Sequence, residues 1–517
     1  MSAFDRRNLL LALGGILLYG CRTVGDQSVI KQVAEKQALV VRKRWVPGEE
    51  AAYKKSYIQA VTLLKANDGQ TFPETDPRSF LSWEKILLLH QKSCQHNNWY
   101  LLPWHRLYLV YFEAACQLLL DDPTFAIPYW DWTLEPTVPA EFYEVEVLKE
   151  KRDLKAGEAI SGELVGKTVM TSILGSSDFF AIHSMAFDPM TMGRGNVGRF
   201  EGTPHNGVHN TVGGIMGNTT DSPRDPVFWL HHCNIDRIWA QWAMIHPEAM
   251  KPFAEPSPAE VAKGNNWAST VLVLDREESL PNYVPPQSPS PKIAESKSNR
   301  SAESVILVKD LLAIEKFSYV YDTMLDPTQV LIVKGGRGKA QKKERKILAT
   351  KNTFGTDIIR ARFVLTKDQA TKISDKSVEL YNKTVNLVAL NLPIPSDESL
   401  RRSARLRFFV LNSYAQYDKK KFYLEKAFEL PEYVGSYTFF TMGAHHKHGN
   451  SDPTLVSVEM DLTEWLETKL RQTGGEQLAF DLAVVAVDSK NEYQALKIFN
   501  PAKKTELQIH LSLDDVK

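Results

Sequence analysis

The distribution of histidine constrains this chain more than any other feature. Of thirteen, eight lie between residues 90 and 232 and three more crowd into 445–448. His90, His96 and His105 place three imidazoles within sixteen residues, and His205, His209, His231 and His232 form a second group. Residues 205 and 209 are four apart, so on a helix they share a face, one turn apart. Pro204 as a first helical residue and Thr203 as its cap predict that helix. His105 and His232 fall early on apolar segments with helical spacing of their own. Four helices can thus aim six imidazoles into one bundle interior. Imidazole-only ligation suits copper, zinc, iron or nickel. No Cys or carboxylate lies at ligand spacing within these helices to make a structural zinc site. Each histidine alone reads as a core residue; as a set they read as a metal centre, because histidine is seldom fully buried.

Around these histidines the chain divides in two. Residues 50–66 carry Tyr53, Tyr57, Val61 and Leu64 at helical spacing, and 104–120 carry Leu107, Val110, Tyr111, Ala114 and Leu118 on one face. A third helix is predicted to start at Asp225-Pro226 and run through Trp242. The glycine-rich stretch 190–204 reads as loop, and 280–303 as a polar, proline-rich linker. A short ordered return ends at Tyr319-Val320-Tyr321, before a basic run, 335–346, that reads as solvated and open to proteases. Beyond 350 the pattern turns to strands at 360–366, 406–412, 434–442, 454–462 and 478–487. The predicted fold is a mainly α, helical-bundle catalytic domain (30–325), a basic linker (326–350) and a C-terminal antiparallel β-sandwich domain (351–517).

Composition narrows the partners. Acidic and basic residues balance at 62 each, which gives no electrostatic reason to expect nucleic acid. Arg6-Arg7, the apolar run Leu9–Tyr19 and then Gly20-Cys21 have the order of an export signal of twin-arginine type, too short to span a bilayer. Leu18-Tyr19-Gly20-Cys21 is similar to a lipoprotein cleavage box, with Cys21 as the lipid anchor. The expectation is an exported protein, periplasmic or extracellular, with four cysteines that form no disulfide framework.

Two longer motifs identify a family. His96-Asn-Asn-Trp-Tyr-Leu-Leu-Pro-Trp-His105-Arg106, continuing to Glu113, resembles the first copper motif of tyrosinases and catechol oxidases. Asp225-Pro226-Val-Phe228-Trp-Leu-His-His232-Cys-Asn-Ile-Asp236-Arg237 resembles their second, and the C-terminal part is similar to that of plant polyphenol oxidases. Leu101 departs from the usual Phe, which implies a local packing change. The resemblance implies two copper ions with O2 as co-substrate: one ion on His90, His96 and His105, the other on His205, His209 and His232. His231 is the rival of His232; the family pattern puts the ligand four residues before Asp236. His183 and His246 match no motif and read as structural.

The resemblance also assigns neighbours. Glu201 and Asn206 would hold the water that deprotonates a monophenol, and Asn210, Met216 and Thr219 would border or gate the substrate. Cys94 would join His96 through a thioether, while Cys116 and Cys233 read as buried hydrophobes. Asp236, one turn after His232, is expected to orient an imidazole, and Glu113 and Arg237 to form buried ion pairs. Tyr319 and Tyr321 would close the catalytic domain against Arg42 or Arg44. The β-domain would keep the enzyme latent until cut, and the loop with His445, His446 and His448 would pass copper inward. The implied activity is oxidation of o-diphenols to o-quinones and ortho-hydroxylation of monophenols; the alternatives are an o-aminophenol oxidase and a haemocyanin-like O2 carrier.

Overall fold

The computed structural model describes residues 39–184, 197–274, 306–324, 343–374, 383–412, 418–439, 455–472, 478–499 and 508–516, apart from a few positions within these spans. The expected export signal, the 280–303 linker, the 335–342 part of the basic run and the 445–448 histidines lie outside them. Among the described residues no helix is long and apolar enough to cross a membrane.

The first domain is helical. α1 (Ala52–Ala66) buries Tyr57, Ala60, Val61 and Leu64, the i, i+3, i+4, i+7 face its spacing predicts. α2 (Trp83–Ser93) starts where the Ser82 hydroxyl accepts the Lys85 N–H. α3 (Leu101–Leu120) and α5 (Val227–Ile245) are the centre of the bundle. Every residue of 101–116 and of 227–242 is buried, as expected of helices apolar on all sides. Phe112 of α3 stacks on Trp229 of α5 with ring centroids 3.7 Å apart. Between them in sequence, α4 (Asn206–Val212) follows a single π-helical turn, Glu201–His205.

Charges inside this core are paired. β1 (Val40–Arg42) runs parallel to β2 (Tyr319–Tyr321) and carries Arg42 inward. Arg42 meets Glu113 at 3.0 Å, lies over the Tyr319 ring at 3.6 Å and donates to the Tyr321 hydroxyl at 3.1 Å. The tyrosine pair therefore closes on Arg42 rather than Arg44. Arg237 pairs with Asp131 at 2.7 Å, so both expected ion pairs form.

The second domain holds two antiparallel sheets. Its longer strands are β3 (Lys343–Leu348), β4 (Lys351–Phe354), β5 (Ile358–Leu365), β6 (Lys383–Pro393), β7 (Ala404–Asn412), β8 (Tyr433–Thr438), β9 (Leu455–Asp461), β10 (Leu478–Asp488) and β11 (Gln508–Val516), and a two-residue strand, Gln494–Ala495, pairs with the end of β10. One sheet has the order β8-β7-β10-β5-β4 and the other β9-β6-β11-β3. The five predicted strands are present; β3, β4, β6 and β11 were not predicted. β3 begins within the basic run and pairs with β11 from Lys343↔Val516 to Leu348↔Leu511, so the sheet reaches back to Lys343.

The two domains meet across a buried charge cluster. Glu163 of the helical domain accepts from Arg407 Nε at 2.8 Å and Arg405 at 3.1 Å, and the Ser436 hydroxyl donates to it as well. Burial alone would raise its carboxyl; the two arginines outweigh it and hold it below the usual carboxylate range.

Candidate metal centre

The first trio is set by a helix, a turn and a second helix. α2 carries His90 near its end, and Cys94 caps that helix. The intervening turn passes through Asn97 in the left-handed region (φ 56°), and the Asn98 side chain accepts the Tyr100 N–H as α3 begins. His96 lies in this turn and His105 one turn into α3. Their ring centroids lie 5.1 to 5.7 Å apart, and each ring offers a nitrogen within 4.8 Å of the other two.

The second group comes from the π turn, α4 and α5. His205 and His209 face the same way, with rings 4.7 Å apart. His209 and His232 bring their Nε2 atoms to 3.1 Å. His232 stacks on His105 at 4.4 Å and 13°, so the two groups form one continuous nest. His231 also belongs to the second group by proximity, its nitrogens being within the same 4.8 Å limit. Trp132 Nε1–H, however, donates to His231 Nδ1 at 3.3 Å. That bond places the proton of a neutral His231 on Nε2, so neither nitrogen offers a free lone pair. His232 is the better donor.

All these rings are buried, and desolvation pushes the pKa values of His96, His105, His205, His209, His231 and His232 down, helped at all but His205 by the neighbouring imidazoles. His105 falls to about 3 and His205 to about 4. The cluster is therefore neutral at ordinary pH, the protonation state in which imidazole binds metal. Orientation is fixed as well. His105 Nδ1 donates to Leu101 O and His209 Nδ1 to Met216 O, both at 2.8 Å, which leaves Nε2 as the lone-pair nitrogen. His105 Nε2 is buried and has no protein partner. Among the described residues, neutral imidazole nitrogens make up both sets, and three on each side fit a pair of borderline metal ions such as copper.

The remaining predicted residues are placed as follows. Glu201 is buried; it accepts the Asn97 N–H at 2.6 Å and the Ser184 hydroxyl at 3.1 Å. Asn206 turns its Oδ1 to His205 Nδ1 (2.8 Å) and gives Nδ2 to Thr438 O of the β-domain (3.2 Å). Asn210 donates to Phe439 O. Met216 has its side chain fully buried, and its carbonyl is what touches the site. Thr219 is buried, and its carbonyl accepts from Ser222. Cys94 is buried and its thiol is pushed well up. His183, between Phe179 O and Trp239 Nε1, and His246, on Leu174 O, are structural as expected.

One expectation is corrected. Asp236 does not orient an imidazole: its carboxylate accepts from Arg106 Nε (2.5 Å), Arg42 (3.4 Å), Tyr319 (2.7 Å) and Tyr321 (2.5 Å). Four residues past His232, it faces the ion-pair network behind the helix instead of the rings. The sequence reading missed α2 itself, the Trp132 contact with His231, and the reach of Thr438 and Phe439 into the site. The Trp-Asp-Trp of 130–132, an aromatic pair around an acid, was the available signal for the second of these.

Comparison with known proteins agrees with this geometry. The family model described as the common central domain of tyrosinase matches residues 67–174 and 155–245. A tyrosinase of Streptomyces antibioticus is 30% identical over 210 residues, covering 32% of this chain and 76% of that protein. A chloroplastic polyphenol oxidase of Malus domestica is 26% identical over 327 residues, covering 47% of this chain and 53% of that one. The chain thus spans about half the length of the plant relatives it matches. The solved structure of latent apple tyrosinase superposes with a TM-score of 0.58 at 18% identity, covering 93% of this chain and 97% of that chain, a likeness of fold.

Proposed function

This chain belongs to the tyrosinase family, and from that premise we propose that it is a copper-dependent oxidase of phenols. It oxidises o-diphenols to o-quinones with O2 and ortho-hydroxylates monophenols. The observation that carries this reading is the meeting of two buried imidazole trios through the His105–His232 stack, 4.4 Å between ring centroids. His90, His96 and His105 would hold one copper, and His205, His209 and His232 the other. When bound, the copper pair supplies the redox chemistry with O2. The chain supplies position, exclusion of water and proton handling. Phe228, 4.1 Å from the His232 ring, and Trp104, 4.9 Å from the His105 ring, keep an apolar wall beside the nest.

Glu201 and Asn206 are proposed to hold the water that takes a proton from a monophenol. In the docked protein the Asn206 amide is engaged by Thr438 O, so this role needs β8 to withdraw. Latency follows from the same contacts, with Asn210, Met216 and Thr219 bordering the path a phenol would take. A thioether between Cys94 and His96, export with lipidation at Cys21, and copper passage through His445, His446 and His448 belong to the same proposal. The two sheets are read as the faces of one sandwich; Leu392 and Val458 of one share an apolar cluster with Phe363 and Phe480 of the other.

The test is oxygen uptake by the copper-loaded protein with catechol and with a monophenol, before and after limited proteolysis at 335–346. Copper-dependent uptake with quinone release, faster after cutting, is expected. Oxygen binding without quinone release would leave an O2 carrier instead, and unchanged rates after cutting would rule out latency.

A further inference from the structure

We infer that the β-domain is a positioning element for the second trio: it fixes His205 and His209 through Asn206, Asn210 and the loop that carries Met216 O, and its release weakens metal binding at that trio more than at the first. The inference rests on the reading that the trios bind metal. β8 lies along the π turn. Thr203 Oγ1 donates to Ser436 O and Thr438 Oγ1 to Gly202 O, both at 2.9 Å. The Tyr437 ring is so close that a Cβ on Gly202 would lie 2.8 Å from it.

The strand then reaches the ligands through Asn206. An amide is planar, so tying its nitrogen to Thr438 O aims its oxygen; that oxygen meets His205 Nδ1 at 2.8 Å. Holding the proton on Nδ1 leaves Nε2 as the donor nitrogen. Asn210, the residue after His209, is tied to Phe439 O in the same way.

A second contact acts on His209. Its acceptor, Met216 O, belongs to the loop that begins at Gly213 and Gly214, both with positive φ. From the β-domain, Arg402 donates to Gly214 O at 3.4 Å and packs against Gly217, while Lys490 pairs with Asp153 at 2.7 Å. Asp153 N–H in turn bonds Val212 O at the end of α4. In the first trio, His105 is set by Leu101 O on its own helix, one turn back. Undocking therefore has two opposed effects: it uncovers the site and loosens half of it.

The experiment is copper(I) affinity by chelator competition on full-length protein. Arg405→Ala/Arg407→Ala removes the arginines facing Glu163 and undocks β8. It is measured on two backgrounds: His105→Ala, which keeps only the second trio intact, and His232→Ala, which keeps only the first. Outer contacts of metal ligands are typically worth roughly 10–100-fold in affinity. A loss of about that size on the His105→Ala background, with a clearly smaller one on the His232→Ala background, is expected. Equal losses on both backgrounds, or none on either, would overturn the inference. Arg402→Ala is the second variant should the double substitution not fold; it is expected to lower affinity on the His105→Ala background, with recovery in Arg402→Lys. If the unsubstituted protein itself bound no copper, the metal-centre reading would fall first.

Discussion

Replacing Asp236 by Asn removes one negative charge from the most crowded ion-pair network of the helical domain. Arg42 would keep Glu113, at 3.0 and 3.2 Å. Arg106 would keep the carbonyls of Leu311 and Leu312 and the face of the Trp239 ring, but its guanidinium would be buried without a counter-ion. Tyr319 and Tyr321 can redirect to the amide oxygen and add little. Stranding a buried charge costs roughly 3–5 kcal/mol, a large part of the roughly 5–15 kcal/mol that holds a domain folded. The assay is denaturant unfolding of metal-free protein followed by tryptophan fluorescence, since ten of the eleven tryptophans lie in the helical domain. The midpoint should fall by that free energy divided by the slope, with the slope itself unchanged, while copper affinity per trio stays as it was. A variant that kept its stability within about 1 kcal/mol but lost roughly 10–100-fold in affinity at the second trio would refute this reasoning, because Asp236 would then be orienting a ligand.

Other consequences can be checked more briefly. His183 is held at about 3 by burial, against an ordinary 6.5. A histidine with a lowered folded pKa takes up protons first in the unfolded chain, so its stability contribution is complete above 6.5 and is lost as pH falls from there toward 3. His183→Gln, which can still accept from Trp239, should reduce the acid sensitivity of metal-free unfolding by about 1.4 kcal/mol per pH unit in that window; an unchanged slope would refute it. Gly214→Ala puts a Cβ 1.8 Å from Lys151 O at a positive φ; it should cost on the order of 1–3 kcal/mol and lower copper content through His209. Copper should raise the unfolding midpoint and a chelator should reverse it; a midpoint insensitive to both would contradict metal binding in the fold. Intact mass of the copper-loaded protein should fall two hydrogens below the thiol form if Cys94 and His96 are joined, and Cys94→Ser should abolish the difference.

How far the sequence reached depends on the range of the interaction concerned. The imidazole cluster was legible because its spacing is local: His90, His96 and His105 lie within one helix-turn-helix, and His205 and His209 one helical turn apart. The central helices were legible because 101–116 and 227–242 are apolar nearly throughout. Strand β3 was not, since Lys343–Leu348 is mostly charged and becomes a strand only by pairing with Gln508–Val516, some 160 residues away. Helix α2 was missed because its pattern is short and was read only for its histidine. Asp236 was misread because spacing gives a helix face but not which neighbour lies across from it. Its partners Arg42, Tyr319 and Tyr321 come from both ends of the domain. The grip of Thr438 and Phe439 on Asn206 and Asn210 is a contact between backbone carbonyls and side chains more than two hundred residues apart, and no local pattern carries it.

The most direct measurement is anomalous diffraction at the copper edge from crystals of the copper-loaded protein. Two peaks are predicted, one enclosed by His90, His96 and His105 and the other by His205, His209 and His232, with His231 still receiving the Trp132 N–H. A single peak, or a second ion held by His231 in place of His232, would contradict the account.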